Sequence, residues 1–162
     1  MKTICKFLLV VLFGISINHV FAQHIPVYNF EEFEPILHQE NDTTYVINFW
    51  ATWCIPCVKE LPEFEKVNLK FQSQKFKMIL VSLDFKSQVE NTVIPFLKEN
   101  KIKSEVVLLS DPNANSWINK VNKDWTGSIP VTIIYNKNFY FFREGTMNFN
   151  EINQIITKNL IK

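Results

Sequence analysis

Along residues 44–135, short runs of apolar and β-branched side chains alternate with segments whose apolar positions recur every three or four residues. The runs read as buried strands and the spaced segments as helices with one apolar face. Thr44 to Trp50 is the first strong strand. Val58, Leu61, Phe64, Val67 and Phe71 then mark a long helix from about Cys54 to Phe71, in which Pro62 removes one interior donor and is expected to bend the axis. Met78 to Leu83 reads as a second strand, Val89, Val93, Phe96 and Leu97 as a helix face, Val106 to Leu109 as a third strand, and Ala114, Trp117, Ile118 and Val121 as a short helix. Val131 to Tyr135 and Phe139 to Phe142 flank the turn-prone Asn136-Lys137-Asn138, which predicts an antiparallel hairpin. Asn148-x-x-Glu151 has the form of a capping box ahead of a last helix carrying Ile152, Ile155, Ile156 and Leu160. Upstream, Val27 to Phe30 fits a short strand and Glu31 to Gln39 a short helix with Pro35 near its start. The alternation predicts an α/β fold, a mixed central sheet with helices on both faces.

The first 22 residues stand outside this pattern. Lys2 and Lys6 precede a nine-residue apolar run, Phe7 to Ile15, and Val20-Phe21-Ala22 supplies short side chains where a signal peptidase reads. Residues 1–22 are therefore expected to be a cleaved signal peptide, and 23–162 a single domain in a periplasmic or other extracytoplasmic compartment. An uncleaved membrane anchor is the alternative, although the run is shorter than the roughly 20 residues a span needs. Cys5 precedes the apolar run, so it is not placed as a lipoprotein cysteine and leaves with the signal. Loss of Lys2 and Lys6 takes the seventeen basic residues to fifteen against sixteen acidic ones, which argues against a nucleic-acid partner.

Two cysteines remain, Cys54 and Cys57, in a context where disulfides are permitted. They close too small a loop to staple a fold, and they sit where a strand turns into a helix. Unpaired N–H groups and the positive end of the helix dipole there favour a thiolate at Cys54, while Cys57 lies within one turn, placed to resolve a mixed disulfide. Pro56 suits a first helical turn because the N–H it lacks would have no partner. The competing reading is half of a zinc site, which would need further ligands where only His24 and His38 remain as imidazoles. Haem attachment would need histidine where Val58 stands, and a peroxidase would need a separate peroxidatic cysteine. Trp50 reads as core, whereas Trp53, beside the reactive thiol, reads as a surface for docking extended chains.

The stretch Asn48-Phe-Trp-Ala-Thr-Trp-Cys-Ile-Pro-Cys57, followed by Val-Lys-Glu-Leu-Pro62, resembles the active-site segment of the thioredoxin superfamily. More narrowly, it is similar to the exported TlpA/ResA-like thiol-disulfide oxidoreductases. The resemblance covers nearly all of the chain after residue 22 and implies a thioredoxin-like fold. It also implies an extra strand-helix unit at about Ser87 to Asp111 that minimal thioredoxins lack. For Pro130, the residues alone favour a trans proline opening a strand. The resemblance implies instead a cis proline beside the cysteine pair, with Ile129 offering its backbone to the substrate chain. Ile55, Pro56 and Trp53 complete the expected substrate-contact set. Glu60, one turn beyond Cys57, would by itself be a solvated helical charge. The resemblance implies that it adjusts cysteine acidity, the more so because Asn48 replaces thioredoxin's buried acid.

The expected activity is therefore reduction of protein disulfides by a monomer. It would need no cofactor beyond the Cys54–Cys57 disulfide, and an upstream thiol reductant, a membrane electron carrier among the candidates, would recharge it. A disulfide oxidase or isomerase, or a redox-inert binding module on the same fold, are the alternatives.

Overall fold

The computed structural model describes residues 24–159. The expected signal segment, Cys5 and Leu160 lie outside the described residues. Among those described, six strands form one sheet in the order β1-β4-β3-β2-β5-β6, comprising β1 (Val27–Tyr28), β2 (Thr44–Trp50), β3 (Phe76–Ser82), β4 (Glu105–Leu109), β5 (Val131–Asn136) and β6 (Phe139–Glu144). β1 to β2 are joined through parallel pairs, β1 with β4, β4 with β3 and β3 with β2, and the β5–β6 hairpin continues the sheet antiparallel from β2. β4 stands between β1 and β3, and it is the strand of the unit expected at about Ser87 to Asp111.

Strand side chains alternate between faces, so each strand feeds two cores. Val46 and Trp50 of β2, Leu80 of β3, Leu108 of β4 and Ile134 of β5 meet α2 (Ile55–Phe71), α3 (Ile94–Glu99) and α5 (Phe149–Asn159). Ile47 and Phe49, Ile79 and Val81, Val107, and Ile133 face α1 (Phe30–Phe33) and α4 (Ala114–Val121). Asn48, between Ile47 and Phe49, consequently points with Val46 and Trp50 towards α2, and it is completely buried.

Two segments differ from the periodicity. The first helix starts at Phe30, because Asn29 caps it in a box with Glu32, and it tightens into a 3-10 turn at Glu34–Leu37, which Pro35 opens. The Val89, Val93, Leu97 face is built from a 3-10 turn (Lys86–Gln88), a π turn (Val89–Val93) and α3. Pro95 has no N–H to continue an α ladder, a sufficient reason for the wider turn ahead of it. The capping box before α5 is present, with Asn148 and Glu151 exchanging side-chain to backbone hydrogen bonds at 2.9 and 3.1 Å. α2 runs unbroken through the exposed Pro62.

Candidate active site

Cys54 and Cys57 are joined by a disulfide across the start of α2. β2 ends at Trp50, the chain turns through Ala51, whose carbonyl accepts from Cys54 N–H at 3.1 Å, and Cys54 takes the N-cap position. An N-cap side chain faces the unpaired amides of the first turn, and Cys57 N–H donates to Cys54 Sγ at 3.3 Å. Pro56 occupies the first turn, where it leaves no broken bond. Cys57 is fully buried, and Cys54 reaches the surface only slightly.

The sheet order fixes what lies on either side. β2 and β3 run in parallel and β5 runs against them, so the ends of β2 and β3 and the start of β5 meet at one rim of the sheet. Ile129 and Pro130 lead into β5 there. Their peptide bond is cis, the isomer the resemblance implies, and the Ile129 carbonyl oxygen lies 3.7 Å from Cys54 Sγ. Pro130 is buried, Ile129 partly so. Trp53 and Ile55 flank Cys54 with 60% and 68% of their surfaces exposed, and Pro56 is exposed beside them. All the expected site residues except Glu60 thus gather around one sulfur.

Glu60 lies beneath. It faces inward from α2 with 4% exposure, accepting from Asn48 Nδ2 at 2.9 Å and from Met147 N–H at 2.8 Å. Burial pushes its carboxyl up to about 7, against the pull of those two hydrogen bonds. Asn48 Nδ2 also lies 3.2 Å from Thr132 Oγ1, while Asn48 Oδ1 is buried with no partner. A solvated charge at Glu60 is thereby excluded. It is a buried acid one turn along the helix from Cys57.

Several supporting residues escape sequence reasoning. Trp125 donates its indole N–H to the Ser128 carbonyl at 2.7 Å, and Glu144 holds Thr126 through its N–H and hydroxyl, so the loop into Ile129 is anchored at both ends. Those hydrogen bonds keep the Glu144 carboxyl below its ordinary range. Asp84, 2% exposed, accepts from Thr52 N–H at 3.0 Å, Thr52 Oγ1 at 2.6 Å and Ser82 Oγ at 2.8 Å. Their partners are distant in sequence, and the one available signal is Ser82-x-Asp84 at a strand end. Among the described residues, no group of three or more His, Cys, Asp or Glu side chains could hold a metal ion. No described helix is long and apolar enough to cross a membrane.

A parallel-to-antiparallel sheet with a Cys-x-x-Cys disulfide at a helix start and a cis proline opposite defines a thioredoxin-like protein. Residues 29–139 match the model of the AhpC/TSA family, and the chain belongs to it. It is 36% identical over 63 residues to sporulation thiol-disulfide oxidoreductase A of Bacillus subtilis (strain 168), covering 39% of this chain and 38% of the relative. It is 32% identical over 62 residues to thiol-disulfide oxidoreductase ResA of Bacillus cereus, covering 38% of this chain and 34% of that one. The matches thus span little more than a third of these relatives' own length. The solved thioredoxin-related protein from Neisseria meningitidis serogroup B superposes with a TM-score of 0.60 at 22% identity, over 71% of this chain and 83% of that one. At that identity the likeness speaks for the fold. The resemblance read from residues 48–62 agrees with the names these relatives carry.

Proposed function

We propose that this protein is an exported thiol-disulfide oxidoreductase that reduces disulfides in protein partners. The observation that carries the proposal is the pairing of a slightly exposed Cys54 sulfur at a helix start with a fully buried Cys57 three residues on. In the reduced protein, Cys54 thiolate attacks one sulfur of the partner disulfide. A Cys54–partner bond forms, the partner's own S–S bond breaks, and its second sulfur leaves as thiolate. Cys57 thiolate then attacks Cys54 Sγ, closing the pair and releasing the partner's remaining sulfur. The partner gains two electrons, the protein pair loses two, and an external dithiol must restore them. Cys57 is buried, so its proton has no direct route to water. Glu60, raised to about 7, is the acceptor on the same helical face. Trp53, Ile55 and Pro56, with Ile129 and Pro130 opposite, supply the surface on which the partner chain lies.

Dithiothreitol-driven insulin reduction tests the activity, and the thiol count of oxidised against reduced samples tests the chemistry. Catalysed precipitation of insulin and a gain of two thiols are expected. A protein showing neither is a redox-inert module. Cys57→Ser should accumulate a mixed disulfide on Cys54, and mass spectrometry of the trapped species would name the partner.

A further inference from the structure

Phe85 is 72% exposed, yet nothing about its position is loose. It follows Asp84, whose buried carboxylate ties the end of β3 to Thr52 in the active-site turn. On its other side, Phe85 N–H donates to Gln88 Oε1 at 3.1 Å, and Phe85 carbonyl oxygen accepts from Gln88 N–H at 2.8 Å. The backbone is pinned before and after a large apolar side chain that adds almost no burial to the fold. One exposed apolar side chain is ordinary, but several gathered in a patch mark an interaction site.

The surroundings of Phe85 decide which case holds. Thr52 neighbours Trp53 and Asp84 neighbours Phe85, so the Asp84–Thr52 bonds tie the loop that carries Phe85 to the turn that carries the exposed Trp53 next to Cys54. β3 and β5 are the two neighbours of β2, and Ser82 pairs with Trp50 while Val131 pairs with Phe49. Phe85 follows the end of β3 and Ile129 precedes the start of β5, so the two residues belong to loops on opposite sides of β2 at the same rim of the sheet. A chain held on Cys54 lies between them. We infer that Phe85 is a specificity-determining residue, forming with Trp53 and Ile55 an apolar wall that receives a bulky apolar side chain next to the cysteine of a disulfide-bearing polypeptide. The inference rests on the oxidoreductase reading above, and its occupant follows from continuity with the one surface on which that partner must sit.

Reduced protein can be mixed with two synthetic peptides, each closed by one disulfide. They are identical except for Phe or Ser on either side of the cysteines, and glutathione disulfide serves as a probe without side chains of that kind. The wild type is expected to reduce the Phe peptide about tenfold faster than the Ser peptide, the equivalent of one apolar contact. Phe85→Ser should abolish that preference while leaving the Ser-peptide and glutathione rates within about twofold. Phe85→Leu, still apolar, should retain most of it. A Phe85→Ser variant that keeps the wild-type preference, or loses all three rates together, overturns the assignment, as does a wild type without preference. A wild-type pair that exchanges with none of the three overturns the oxidoreductase reading itself and this inference with it.

Discussion

Glu60 converts a position on a helix into a property that depends on pH. Its ordinary value is 4.5 and burial raises it to about 7 in the folded chain. Between those values the native state holds a proton that the unfolded state has released, so stability falls as pH rises from about 4.5 to about 7 and then levels off. A shift of that size corresponds to a loss on the order of 3 kcal/mol. Glu60→Gln should flatten the decline, which urea denaturation at pH 4 to 8 would reveal. An equally steep decline in the variant would assign it to other groups. Asn48 gives a reason for tolerance of both states. Its Nδ2 faces the carboxylate, while its unpartnered Oδ1 would accept from the protonated acid after an amide flip. If the Glu60 carboxylate acts on the cysteine pair as proposed, the same substitution should lower the Cys54 thiol pKa by removing a negative charge, as a thiolate-absorbance titration would record. The pairing of the two cysteines at a helix start was legible from their spacing together with the strand before them and the helix face after them. The burial of Glu60 was not, because it is set by Asn48 on β2 and by Met147, 87 residues along the chain.

At the scale of elements, the strands and long helices follow from periodicity because each buries one face, and β2 and α2 end where their apolar patterns end. What the pattern does not encode is how the connections are fastened. Thr52 and Asp84 belong to different loops, 32 residues apart, and each alone reads as an ordinary turn residue. Together they hold the end of β3 against the active-site turn. Similarly, Glu60 and Glu63 of α2 accept from Met147 and Phe149 N–H, fixing the entry to α5. Asp84→Ala should cost about 2 kcal/mol, since it strips a hydrogen-bonded carboxylate and leaves Thr52 N–H without its acceptor. Guanidinium unfolding of the oxidised protein measures this. A loss below about 0.5 kcal/mol would mean that water replaces the carboxylate freely. The π turn before α3 was also invisible, since Val89, Val93 and Leu97 keep the same buried spacing whether the wider turn is present or not.

For the molecule as a whole, the remaining question is the direction in which electrons flow, and the surroundings of Cys54 bear on it. A strongly oxidising couple requires its reduced form to be stabilised, in this class through the nucleophilic thiolate. Among the described residues, the polar contacts to Cys54 Sγ beside the disulfide are the Cys57 N–H and the Ile129 carbonyl oxygen. The amide favours the thiolate, whereas a carbonyl oxygen at 3.7 Å can only accept from the protonated thiol. Ile55 and Pro56 bring neither cation nor histidine, and under the proposed role of Glu60, one helical turn beyond Cys57, its ionised carboxylate would oppose negative charge on the pair. With one stabilising amide set against a carbonyl and a carboxylate, the reduced form gains little, and the couple should be reducing. The potential is expected nearer the thioredoxin end of the range, at about −270 mV, than the DsbA end, at about −120 mV. The gap of roughly 150 mV corresponds to roughly 7 kcal/mol, much larger than any single contact named here contributes. Equilibration with dithiothreitol or glutathione buffers, read by the thiol state of Cys54 and Cys57, measures the potential directly. A value above about −150 mV would reverse the direction and make the protein a disulfide donor to the same partners.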